Sequence, residues 1–263
     1  MKLLTVFLLI ALVVQLTAQH EFHHPRSASM GVITTVQEEE YALFANPAGI
    51  ANLERWNLGT FYHQAFGLSE LTSLAIGLTI PGRIPLGLTF QQFGRGHLKD
   101  QRIGLAMAHD FGPISLGLAS YYRLLSIPGY ARDQAMTWDF GILVPLSPKF
   151  HMGFLLQNLS RTKIFQSEKL ITAIRFGARY LFHQYLMIAI EISHTLGYDW
   201  SSKAGLEYVI KGKIPVRSGI NLLRKTAHAG IGFLQGNWTI DYGLDLHIHL
   251  GTSHRAALYI RWN

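Results

Sequence analysis

From Trp56 to the last residue the chain repeats one pattern, in which apolar side chains alternate with small or polar ones. In 73–80, Leu74, Ile76, Leu78 and Ile80 fall on one side and Ser73, Ala75, Gly77 and Thr79 on the other. Further along, Leu186, Ile188, Ile190 and Ile192 oppose Glu191 and Ser193, and Ile240, Tyr242, Leu244 and Leu246 oppose Thr239, Asp241, Gly243, Asp245 and His247. Successive side chains of a strand point to opposite faces, so each segment reads as a strand with one oily face and one polar or small face. About fourteen such segments follow one another: 56–64, 71–80, 85–93, 101–111, 114–127, 135–145, 150–159, 169–181, 185–194, 201–210, 214–223, 227–234, 238–248 and 254–262. Most run about 9–11 residues, well above the mode of about 5–6 for soluble strands and the length a tilted strand needs to cross a bilayer.

The links between segments carry a second signal. Those after odd-numbered segments (65–70, 94–100, 128–134, 160–168, 195–200) are long, shrinking to about three to five residues in the last two, and those after even-numbered ones (81–84, 112–113, 146–149, 182–184, 211–213, 235–237) are short. Long loops on one rim and tight turns on the other characterise outer-membrane barrels, and an even strand count puts both ends on the tight-turn side. The expected fold is therefore all-β: a transmembrane antiparallel β-barrel of about fourteen strands, oily face outward and polar face enclosed. Trp56, Tyr62, Tyr122, Trp138, Phe150, Tyr180, Tyr208, Trp238 and Trp262 suit interfacial girdles. The competing architecture is a soluble β-sandwich or lipocalin-like barrel, which gives no reason for sorted loops.

Composition narrows the chemistry. None of the 263 residues is cysteine, which excludes a disulfide scaffold, a thiolate metal site and a cysteine nucleophile. Only 15% are charged, against about 25% in an ordinary domain, while 49% are hydrophobic and 25 are glycine. Met1-Lys2 followed by the apolar run 3–16 and Thr17-Ala18-Gln19 reads as a secretory signal, too short for a spanning helix. The chain divides into a signal (1–19), an N-terminal segment (20–55) and the barrel (56–263), and the expected location is the cell outer membrane.

Residues 20–55 do not alternate. Pro25–Gly31 reads as a loop, and Val36–Phe44 as a short helix with Glu38, Glu39 and Glu40 in its first turn, where acids suit the helix dipole. Asn46-Pro47-Ala48-Gly49 breaks it. Such a segment fits equally as a plug inside the lumen or as an arm on the surface.

The order Arg26-Ser27-Ala28-Ser29-Met30-Gly31, then Glu39-Glu40, then Asn46-Pro47-Ala48-Gly49-Ile50-Ala51 resembles the N-terminus of the PorV/PorQ group of outer-membrane proteins, relatives of FadL-type fourteen-stranded barrels. Glu39-Glu40 stand where that group commonly has two aspartates, and Ile50 replaces a leucine. The resemblance implies an accessory or docking component of a type IX-like secretion system of Bacteroidetes-like bacteria, with secretion-system proteins as partners. The alternative is a FadL-like channel for hydrophobic small molecules. A channel predicts an apolar pocket near the plug and a lateral opening or kink in the wall; a docking accessory predicts a filled lumen and co-purification with other envelope proteins.

Alternation projects Asp139, Arg175, Arg179, Glu191, Lys203, Glu207, Arg217, Asp241, Asp245, His247 and Arg255 into the lumen, because charge on the lipid face costs about 2–4 kcal/mol for Arg or Lys at the midplane. These form either a salt-bridge lattice filling a narrow lumen or a conduction path gated by the plug, with Glu38–Glu40 meeting Arg175, Arg179 or Arg217. Asp245, His247 and His249 share a strand face and His254 opens the next strand, yet histidines at a rim are ordinarily solvated, and no metal or other cofactor is expected. Ser218, His228 and Asp241 face unlike sides and make no catalytic constellation, so no enzyme is expected. The net charge of +7 forms no basic stripe with stacking aromatics, which excludes nucleic acid and leaves outer-membrane lipid and lipopolysaccharide headgroups as partners.

Overall fold

The computed structural model describes residues 22–96, 98–165 and 168–263; the expected signal, residues 1–19, lies outside them. Fourteen antiparallel strands close into one barrel: β1 (Trp56–Gln64), β2 (Thr72–Ile80), β3 (Leu86–Phe93), β4 (Lys99–Asp110), β5 (Ser115–Ile127), β6 (Ala131–Ser147), β7 (Phe150–Gln157), β10 (Ala173–His183), β11 (Leu186–Thr195), β12 (Trp200–Ile210), β13 (Ile214–Asn221), β14 (Thr226–Gln235), β15 (Trp238–His247) and β16 (Gly251–Trp262). Each pairs with its sequence neighbours, and β1 closes on β16 from Trp56↔Trp262 to Gln64↔His254. Closure leaves no unpaired edge, the condition for a sheet in hydrocarbon.

The alternation resolves as oily outside and small or polar inside. Leu74 and Ile76 are exposed while Ser73, Ala75 and Thr79 are buried; Ile190 and Ile192 are exposed while Glu191 is 1% exposed. In water this arrangement would be inverted, so the exposed band is the lipid-facing surface. Trp56 stacks on Trp262, and Phe150, Tyr180 and Phe182 cluster at the same rim, which is the one that carries both ends of the wall.

The loop sorting is weaker than expected. At the far rim 65–71 and 158–172 are long and 94–98 is intermediate; 128–130 and 196–199 are as tight as the turns of the near rim, and 222–225 and 248–250 are short as expected. Strands β6 and β16 simply begin earlier than their alternation suggested, at Ala131 and Gly251. The 158–172 link contains a small hairpin, β8 (Lys163–Ile164) with β9 (Glu168–Lys169). Its Ile164 and Leu170 pack with Phe93, Leu98, Leu125 and Ala135, so the hairpin lies as a lid over the β3–β6 side of the far mouth.

Residues 22–55 fill the lumen. The expected helix over Val36–Phe44 is absent: only a 3-10 turn forms, Glu39–Tyr41, with Glu39 at φ +54°. The three acids are pulled apart by different surroundings, Glu38 to His151, Glu40 to Arg261 and Glu39 to solvent, and tertiary partners override local propensity. The helix forms instead at Pro25–Ser29 (α1), in the stretch expected to be a loop. Pro25 sits at its start, where a missing N–H costs nothing, and the His24 imidazole accepts from the Ser27 N–H at 3.3 Å.

Candidate functional site

The site is the seam between plug and wall, and glycines build it. Across neighbouring strands, inward-facing glycines stand opposite one another: Gly117↔Gly141, Gly153↔Gly177, Gly205↔Gly219 and Gly230↔Gly243. Each pair receives one piece of the plug. A Cβ at Gly117 would lie 2.2 Å from the Ala48 nitrogen, one at Gly153 2.1 Å from the Thr35 carbonyl oxygen, one at Gly205 2.5 Å from the Met30 carbonyl oxygen, and one at Gly230 2.0 Å from the Ser29 hydroxyl. Glycine inside a strand marks close approach of another backbone, and here it does so around most of the barrel.

The Asn46-Pro47-Ala48-Gly49 motif has a structural job in this seam. The Asn46 side-chain amide donates to the carbonyls of Thr35 (2.7 Å), Ile142 (3.0 Å) and Phe154 (3.2 Å), and its oxygen caps the Pro47–Ile50 turn by accepting from the Ala48 N–H. Gly49 packs so tightly on the plug's own Gln37 carbonyl that a Cβ would come within 2.1 Å of it. Of the motif's acids, Glu39 is exposed and Glu40 is buried beside Arg261 at 3.3 Å. Burial outweighs that guanidinium and raises the Glu40 pKa above the usual carboxylate value.

On the β10–β16 side the seam is ionic. Glu191 accepts the backbone N–H groups of Thr34 (2.7 Å) and Thr35 (3.0 Å) and the Lys203 ammonium (2.6 Å), with Arg175 at 4.0 Å. Lys203 also donates to the Val32 carbonyl. Arg26 of the plug grips Glu207 through two nitrogens at 2.8 and 2.9 Å and lies over the Tyr41 ring. Arg217 bridges Glu207 (2.5 Å) and Asp241 (2.6 Å). Arg255 joins Asp245 and the His23 carbonyl, and His228 completes that cluster. Asp139 accepts the Asn158 N–H at the root of the lid.

Among the expected meetings of Glu38–Glu40 with arginines, the structure brings together one: Glu38 contacts Arg179 and His151. Burial alone would raise the Glu38 pKa, but the His151 hydrogen bond and the Arg179 charge together hold it below the usual carboxylate value. Arg175 and Arg217 instead serve the wall carboxylates. His247 is a rim group rather than a lumen group: it is half-buried at the end of β15, packs against Phe66 and accepts from the N–H of His249. His254 pairs with the Tyr242 hydroxyl at 2.6 Å and Asp245 with His228 and Arg255, so neither joins His247 and His249. Ser218 faces lipid, away from His228 and Asp241.

Several anchors lie outside the sequence expectation. Asp100 and Arg123 form a buried pair on β4 and β5 at 2.8 and 2.5 Å, and both have the inward parity of their strands. Arg26, His151 and Arg261 are anchors through the path of the plug, which strand alternation does not encode. The β1–β5 side of the seam is apolar, with Phe61 in edge contact with Phe22, Phe44 and Tyr259, and Phe22 tilted against Phe44, beside Leu43 and Ile50. Two voids beside Phe22, under the lid, measure about 30 and about 10 Å³, room for no more than a few waters. Over the β10–β13 side the far mouth opens instead as a vestibule of about 760 Å³.

No family model matches the chain, and no curated protein matches it. Solved structures do share its fold. The CymD monoaromatic hydrocarbon channel aligns at TM-score 0.65 and 12% identity, over 91% of this chain and 96% of that one. The Pseudomonas putida toluene transporter TodX gives 0.65 at 9% identity, over 92% and 97%, and a Pseudomonas aeruginosa FadL homologue gives 0.61 at 10%, over 91% and 98%. Residues 56–263 make up less than four-fifths of the chain, so a match over nine-tenths takes in plug as well as wall. The likeness to these structures therefore extends over the N-terminal segment as well as the wall.

Proposed function

We propose that this chain is an outer-membrane channel for hydrophobic small molecules, in a closed state, with the far rim facing the cell exterior. The observation that carries this reading is the likeness of the fourteen-stranded barrel to CymD, TodX and the FadL homologue, over the N-terminal segment as well as the wall. No apolar pocket stands open beside the plug among the described residues, and this reading places a closed route on the apolar side. Under the lid, Phe93, Leu98, Leu125 and Ile164 form one oily cluster, and Phe22, Phe44 and Phe61 form another deeper in. Between them lies one polar layer with Gln91, Arg102 and the Asp100–Arg123 pair, bordering the two small voids. Passage then requires the lid and the plug to shift, because neither void admits an aromatic ring. The reading assigns no catalytic role to any residue. The test is uptake of a radiolabelled monoaromatic hydrocarbon by cells with an intact outer membrane. Expressing the chain in a strain lacking such channels raises the rate; an unchanged rate removes the reading.

A second reading, a docking accessory of the PorV/PorQ type, is favoured by one specific observation: the lumen is packed, and the motif shared with that group is what packs it. Affinity purification from the native envelope tests it, with secretion-system proteins retained if it holds and absent if it does not.

A further inference from the structure

Two adjacent turns of the far rim, 222–225 and 248–250, enclose a groove of about 400 Å³ on the outside of the wall. Strand register explains it. Ile220 pairs with Ala227 and Ala227 with Leu246, all three exposed on the oily face, so the methyl of Ala227 is a floor between two larger side chains. Leu222 and Ile248 carry the walls past the strand ends and are well exposed. The groove thus continues the lipid-facing band to its upper edge. Its mouth is cationic. Lys225 lines it, exposed and with no ion-pair partner among the described residues. His247 lines it too, paired with Thr226 one residue beyond the Ala227–Leu246 pair. The His247 Nδ1 accepts the N–H groups of His249 (3.2 Å) and Leu250 (3.3 Å), which places the ring proton on Nε2, a donor that no described residue engages. No carboxylate answers these groups. The chain has no Asp or Glu between Glu207 and Asp241 and none after Asp245, and those two aspartates turn inward to Arg217, Arg255 and His228. Arg224, the other cation of the turn, lines the vestibule on the lumen side together with Asp199.

We infer that this groove holds one phosphorylated lipid of the outer leaflet. An acyl chain lies on Ala227 between Ile220 and Leu246, and the phosphate sits between Lys225 and His247 at the mouth. The acyl chain covers the apolar walls, and the phosphate brings the counter-charge that the protein itself withholds. A neutral headgroup would leave Lys225 unanswered, and a soluble phosphate would leave the walls bare. The inference rests on the channel reading only for its orientation, which puts the far rim in the outer leaflet; binding itself does not require transport.

Diphosphoryl lipid A and its dephosphorylated form, each added to the detergent-solubilised full mature chain and read by native mass spectrometry, test the site. One lipid A per barrel is expected, with the dephosphorylated form held more weakly. Lys225→Gln weakens lipid A binding about fivefold, the scale of one lysine at an anionic bilayer surface. Ala227→Trp, which fills the groove from the lipid side and keeps the charges, weakens it as well. Both positions are exposed, and the heat-dependent gel shift of intact barrels checks that the variants fold. Lys213→Gln, in a near-rim turn, leaves binding unchanged. Equal retention of both lipids, full affinity in Lys225→Gln or in Ala227→Trp, equal weakening by Lys213→Gln, or release of lipid A by equimolar inorganic phosphate each overturns the inference. If hydrocarbon uptake fails while Lys225-dependent binding persists, the channel reading falls and the site stands; uptake without that binding does the reverse.

Discussion

The Glu191 carboxylate accepts the Thr34 backbone N–H at 2.7 Å, so a strand residue holds a plug residue 157 positions away in the chain. Buried ion pairs add little net stability, but removing one partner strands the other in low dielectric. Glu191→Gln keeps an acceptor for the threonine amides and deprives Lys203 and Arg175 of their counter-charge. The expected loss is about 3–5 kcal/mol. It appears as a lower midpoint of heat-induced unfolding in detergent, together with current fluctuations in planar bilayers that the parent does not show. An unaltered midpoint and a silent bilayer would mean that Glu191 does not tether the plug.

Adding one methyl group at Gly153 is expected to dislodge the plug without opening the barrel. The new Cβ would meet the Thr35 carbonyl oxygen at 2.1 Å, and a backbone atom has no rotamer to escape into. Overpacking of this kind costs about 1–3 kcal/mol. Gly153→Ala should therefore make residues 22–55 susceptible to protease while the wall stays resistant. Gly67→Ala is the control, since a Cβ there meets nothing within 4 Å, although its φ of +70° carries some strain. Equal resistance in both variants would separate the glycine pairs from plug seating.

Acid should loosen the plug before it affects the wall. Burial, aided by the Arg26, His23 and Arg217 charges, holds the His24 imidazole well below its usual 6.5, so the folded chain keeps it neutral. An unfolded chain takes up that proton as pH falls through about 6.5, and stability is lost from there downward. Glu38, whose pKa is depressed, contributes stability above its usual 4.5 that disappears as pH falls through its lower folded value. Glu40 acts in the opposite sense, because burial raises it and protonation relieves it. From pH 7.5 to 5.5 the unfolding midpoint of the parent should fall more steeply than that of His24→Gln, and the difference between the two profiles reads His24. Parallel profiles contradict the assignment.

The alternation from Trp56 onward was sufficient to read the fourteen strands, because a wall facing lipid on one side and a packed lumen on the other leaves a period-two signature at every strand. Glu191, Glu207 and Arg217 were legible as lumen groups for the same reason. Segments governed by tertiary partners were not. Val36–Phe44 has helical acids at the right place, yet Glu38 and Glu40 leave in different directions once His151 and Arg261 are near. The hairpin Lys163–Ile164 with Glu168–Lys169 is too short to show any period. The facing of Gly153 with Gly177 depends on strand register, which alternation alone does not contain.

Hydrogen–deuterium exchange on the mature chain in detergent measures most directly whether residues 22–55 are a fixed core inside the barrel. Slow exchange at Ala28, Thr34, Thr35 and Ala48, whose N–H groups are buried and hydrogen-bonded within the plug or to Glu191, is the predicted result, with protection comparable to that of β11 and β13. Complete exchange of these amides within seconds, while the strands stay protected, would contradict the account.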